Sequence, residues 1–134
     1  MVGNVGDSSK VKGIIYEAPV INFWESVEVN GSARYPWVPQ QLFAYFKIFT
    51  EIRYGIDFQN MDFTDNVINS DIPALLFHGD DDEWVPVEMS DFIAENRDTN
   101  FTYIRYENVG HVTSWNADPD NYVYQLENFL SSLD

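Results

Sequence analysis

Apolar positions along this chain fall into three short runs, separated by stretches in which they recur every three or four residues. Val11 to Tyr16 is rich in β-branched and aromatic residues and stops at Ala18-Pro19, where proline ends ladder pairing, so a strand is expected there. Ala74 to Phe77 lies between Pro73 and Gly79, is continuously apolar and is too short for a helix. That pattern predicts a parallel strand covered on both faces. Phe101 to Tyr106 alternates aromatic or apolar with polar residues and predicts a third strand.

Between the first two runs, Val20 to Ser70 scatters Phe23, Trp24, Tyr35 and Trp37 among polar residues with no period of two, which reads as helical and partly irregular. Its clearest helix is Pro39 to Tyr54. Proline suits a first turn, Leu42, Tyr45, Phe46, Phe49 and Ile52 recur at three and four, and Gly55 supplies the stop. That stripe is expected to face the core. Ile56 to Ser70 has no clean period and reads as loop, with a turn of helix near Asp65 to Asn69. Val87 to Asn96 carries Met89, Phe92 and Ile93 at helical spacing. Asp118-Pro119 opens a last helix whose apolar face runs through Tyr122, Leu126, Phe129, Leu130 and Leu133. Alternating strands and helices predict an α/β fold: a parallel sheet of about three strands with flanking helices and right-handed crossovers. The small, polar residues 1–10 are expected to form a loose tail, leaving 11–134 as one domain with a helical segment at 20–70 and its chemistry at 71–134.

Composition narrows the partners. The 134 residues carry 7 basic and 22 acidic side chains, a net charge of −15 that repels phosphate backbones and anionic headgroups, so neither nucleic acid nor membrane is an expected partner. There is no cysteine, which excludes disulfides, thiolate metal sites and cysteine nucleophiles. No apolar run approaches the roughly 20 residues of a membrane span, and the first ten residues lack a signal peptide's apolar core. A soluble, cytoplasmic protein that uses no cofactor is expected.

Chemistry belongs at the carboxyl ends of the strands, where open α/β sheets collect their ligands. The second predicted strand runs into Asp80-Asp81-Asp82-Glu83, and the third into the loop Gly110-His111-Val112-Thr113-Ser114-Trp115-Asn116. A carboxylate beside an imidazole fixes its tautomer and stabilises its protonated form, as in the acid and histidine of a nucleophilic triad. A cluster of oxygen ligands also suits calcium or magnesium, but the spacing misses the EF-hand loop with its glycine in the middle. His78, inside the strand run, reads as a packed core histidine.

Gly79-x-x-Asp82-x-x-Val85-Pro86 followed by Gly110-His111 resembles the acid and histidine segments of α/β-hydrolases of the serine esterase and peptidase kind. The resemblance covers nearly the whole chain and is to that family's C-terminal half. Val11 to Val20 is similar to its sixth strand, Arg53 to Asp57 to the segment before its seventh, and Gly110 to Pro119 to its closing loop and helix. It implies that Asp82 is the triad acid and His111 the triad base, with Asp80 and Asp81 at variable positions. Phe23, Trp24 and Trp115 are candidates to line an acyl or leaving-group pocket. The family's Gly-x-Ser-x-Gly elbow occurs nowhere, and the nearest match, Gly6-Asp7-Ser8-Ser9-Lys10, is not followed by a helix. Ser114 lies on the wrong element for an elbow. The expected protein is therefore the C-terminal part of a serine hydrolase for small ester or amide substrates, inactive by itself. An interaction module is the alternative, pairing with a second copy or an N-terminal half through the Val11 to Tyr16 edge. A small acidic metal-binding domain is the third reading.

Overall fold

Parallel pairing on both sides of one buried strand builds the sheet. The computed structural model describes residues 10–133. The tail expected over residues 1–10, and the Gly6 to Lys10 match to an elbow, thus fall outside the described residues except for Lys10. Strand β1 (Ile14–Glu17) pairs with β2 (Ala74–Gly79), and β2 with β3 (Phe101–Tyr106), in the order β1-β2-β3. Ala74 faces Ile14 on one side and Phe101 on the other, so the three strands begin together, and β2 and β3 run on in register to Gly79 and Tyr106 while β1 stops opposite Phe77. This is the α/β fold that the alternation predicts. The first strand starts later and ends one residue further on than Val11 to Tyr16.

Leu75, Leu76, Phe77 and His78 are fully buried, as a strand covered on both faces requires. Leu75 and Phe77, two apart and therefore on one face, join Tyr106, Val109 and Phe129 under helix α6 (Pro119–Ser131). A second cluster, Ile21, Val67 and Ile93, is built with helices α3 (Thr64–Ile68) and α4 (Val87–Asn96). Each fully buried leucine or phenylalanine contributes about 1.5–3 kcal/mol of transfer free energy, so β2 is the densest stabilising segment. Buried Arg97 ties the clusters to the sheet, its guanidinium donating to the Val67 carbonyl at 3.1 Å and to that of Ile72. Burial lowers the Arg97 pKa from its ordinary value.

The stretch 20–70 holds more helix than its pattern suggests. Helix α1 (Phe23–Arg34) starts at Asn22, whose side chain accepts from the Glu25 N–H at 3.0 Å. Helix α2 (Gln40–Tyr54) ends at Gly55, which takes the left-handed conformation at φ 67°. Its apolar stripe does not face the core. Leu42, Tyr45, Phe46, Phe49 and Ile52 are all at least half exposed, and Thr50 is the helix's buried residue. Phe43 rests on Gly31 of α1 and the Lys47 ammonium lies 5.4 Å from the Trp24 ring, so the narrower side of α2 meets the body. A short helix, α5 (Ser114–Ala117), precedes α6, whose Asp118 caps the Asn121 N–H as expected. Phe92 and Leu130, expected on core-facing stripes, are about half exposed. No helix among the described residues is long and apolar enough to cross a membrane.

Candidate functional site

Because β2 and β3 end in register, the turns that follow them meet. The Asp80 N–H donates to the Tyr106 carbonyl at 2.9 Å and the Asp81 N–H to that of Val109 at 3.0 Å. The Asp80 carboxylate accepts from the Asn108 N–H at 2.7 Å and stands 3.8 Å from Arg105. Asp80 therefore holds the histidine loop in place, a structural task rather than mere solvation of the turn.

Asp82 turns inward, its side chain fully buried. One oxygen, Oδ1, accepts from the N–H groups of Trp84 and Val85 at 2.8 and 2.9 Å, a closed acidic turn. The other, Oδ2, lies 2.8 Å from His111 Nδ1 and 3.3 Å from His78 Nε2. Burial by itself raises the Asp82 pKa, but the Val85 N–H, His111 and the Trp84 N–H outweigh it and hold the carboxyl below its ordinary value. An ionised carboxylate has no proton to give, so Nδ1 of His111 must be the donor. In the neutral ring the lone pair is then on Nε2, which has no partner among the described residues, and the His111 side chain is 36% exposed.

His78 is the packed, hydrogen-bonded histidine that its position predicts. Its Nε2 lies 3.1 Å from the Val85 carbonyl, which can only accept, so Nε2 carries the proton and Nδ1 takes the Ser90 hydroxyl at 2.6 Å. Burial lowers the His78 pKa, and the Val85 carbonyl and Asp82 offset this only in part. An unfolded histidine titrates near about pH 6.5, above the folded value; between the two, the unfolded chain holds the extra proton and stability rises with pH. Stability from this group is thus lost as pH falls below about 6.5, by at most about 1.4 kcal/mol per pH unit. Urea midpoints at about pH 7.5 and about pH 5.5 should show this loss in the native chain and not in His78→Gln; equal losses in both would assign it to another group.

His111 follows the turn at Asn108 and precedes Val112, a β-branched residue in the left-handed region at φ 52°. Such a conformation costs on the order of 1–3 kcal/mol and holds only where surroundings impose it. At the end of β1, Glu17 supplies part of that support: its carboxylate accepts from the Ser114 N–H and the Tyr122 hydroxyl, each at 3.2 Å. Buried Ser114 is held by its backbone at the start of α5.

His111 lines an open groove of about 350 Å³ with Val20, Phe23, Val27, Trp84 and Val85. Of the three aromatic residues expected to line a pocket, Phe23 does so. Trp24 is buried against Phe58, with ring centroids 5.1 Å apart, and Trp115 stands edge-on to Tyr122 at 5.6 Å; neither lines the groove. Trp84, in the middle of the acidic turn, is the site residue that sequence patterning does not single out. Asn30 donates to its carbonyl and the Arg34 guanidinium lies 5.8 Å from its ring, so α1 clamps it against the turn. The only signal in the sequence was an aromatic residue two positions after the candidate acid. Among the described residues no three histidine, aspartate or glutamate side chains group to hold a metal ion.

The sheet and the helices around it have a hydrolase-like fold. They are similar to the Pyrococcus furiosus esterase Pf2001 in three crystal forms. Over 98% of this chain the TM-score is 0.62 at 19% identity in one and 0.64 at 16% in another, and over 92% it is 0.56 at 22% in the third. The chain spans about half of that esterase, between 46% and 48% of its length. No family model and no curated protein sequence matches the chain.

Proposed function

We propose that this chain supplies the acid and the base of a serine hydrolase of the α/β-hydrolase kind, acting on small esters or amides. The observation that supports it is the buried Asp82 carboxylate 2.8 Å from His111 Nδ1, at adjoining strand ends, with His111 on an open groove. In the reaction, a serine hydroxyl attacks the substrate carbonyl while His111 Nε2 takes its proton and then passes it to the leaving group. Asp82 keeps the ring oriented and stabilises the imidazolium that forms. Phe23, Val20, Val27 and Trp84 offer an apolar wall for the acyl or leaving group. The nucleophile in this reading comes from a segment beyond these 134 residues, because no Gly-x-Ser-x-Gly occurs in them.

Incubating the chain with activated esters and a fluorophosphonate probe tests that assignment. The expected result is no turnover above buffer and no labelled serine. A serine labelled within the 134 residues would mean that the chain carries its own nucleophile.

A further inference from the structure

Helix α2 is amphipathic with its wide apolar side outward. Leu42, Tyr45, Phe46, Ile48, Phe49 and Ile52 recur at spacings of three and four and so share one face, and their exposure runs from 50% at Leu42 to 81% at Ile52. Contact with the body is left to Phe43, Lys47 and Thr50. Such a face left in water gains nothing from the hydrophobic effect on folding, and a contiguous apolar patch of this kind marks an interaction surface.

We propose that a second copy of this chain covers it, α2 packing on α2 across a two-fold axis. The surface of the six residues is on the order of 800 Å², what each partner gives to a standard stable interface. Charge selects the same surface. The segment from Arg34 to Gly55 holds three of the chain's 7 basic residues and one of its 22 acidic residues. Elsewhere two copies would bring carboxylates together at a net charge of −15 each; at α2 they approach through aromatic and aliphatic side chains. An anionic bilayer would meet the same basic-aromatic helix but would repel the acidic body behind it. The paired faces are isologous, so every substitution on this face counts twice.

Sedimentation equilibrium of the chain, alone and as Ile52→Glu and Ile15→Lys, tests this. The native chain should be a dimer. Ile52→Glu should raise the dissociation constant by about 100-fold or more with an unchanged far-ultraviolet circular dichroism spectrum, since Ile52 makes little contact within its own copy. Ile15→Lys, on the outer edge of β1, should leave the dimer intact. A monomeric native chain, a dimer that survives Ile52→Glu, or one that only Ile15→Lys dissolves would overturn the proposal. So would co-flotation of native monomer, but not of Ile52→Glu, with phosphatidylcholine vesicles. None of these outcomes depends on a catalytic role for Asp82 or His111.

Discussion

Asp82→Asn is expected to move the His111 proton from Nδ1 to Nε2 while leaving the turn folded. Asparagine keeps an oxygen where Oδ1 accepts from Trp84 and Val85, so the backbone of the turn retains its anchor. The other arm becomes an NH₂ donor 2.8 Å from Nδ1, which must then accept, and the ring proton goes to Nε2. The same donor also faces the Nε2–H of His78 at 3.3 Å, a mismatch that costs about 1–3 kcal/mol in a buried site. With Nε2 protonated, His111 has no lone pair for a serine proton. In any assembly that provides the nucleophile, kcat should fall about 10⁴-fold, the effect of a wrong tautomer in a triad hydrolase. Hydrolysis within tenfold of the native rate would remove Asp82 from the triad. Urea titration reads the stability cost, and histidine ¹⁵N shifts read the tautomer.

Gly79→Ala should be the most destabilising small substitution at the site. The new methyl group would stand on the Val109 carbonyl, a backbone group that cannot swing aside. That carbonyl accepts the Asp81 N–H at 3.0 Å, and its peptide leads through Gly110 into His111. Relief requires separating the acid turn from the histidine loop, at a cost of about 3 kcal/mol or more. Gly55→Ala is the comparison. Its added methyl meets open space, so only the left-handed φ of 67° opposes it, at about 1 kcal/mol. A thermal midpoint for Gly79→Ala equal to that of Gly55→Ala would show that the two loops are not tightly apposed.

Strand β2 was legible because burial on both faces leaves an unbroken apolar run, a signal that needs no partner to interpret. The acidic turn and the histidine loop were legible for a related reason, since strand ends that point one way place the following loops on one rim; it was the resemblance carried by Gly79-x-x-Asp82-x-x-Val85-Pro86 that picked Asp82 from the four carboxylates. Periodicity placed α2 almost to the residue, yet it reveals only that an apolar stripe exists, not which surface the stripe meets. Phe23 and Trp24 illustrate the same limit. Adjacent residues on a helix point about 100° apart, so one reaches the groove and the other the core, and only the docking of α1 decides which. Glu17 and Asp80 act through backbone N–H groups distant in sequence, at separations of 97 and 28 residues, and composition carries no trace of such bonds.

The tautomer of His111 in the native chain tests the central claim most directly, because an acid and base pair requires Nδ1–H toward Asp82 and a bare Nε2. Long-range ¹H–¹⁵N correlation spectra of histidine-labelled protein near neutral pH distinguish the two ring nitrogens. The account predicts a protonated Nδ1 and an unprotonated, pyridine-like Nε2 for His111, reversed in Asp82→Asn. A native His111 carrying its proton on Nε2 alone would contradict it.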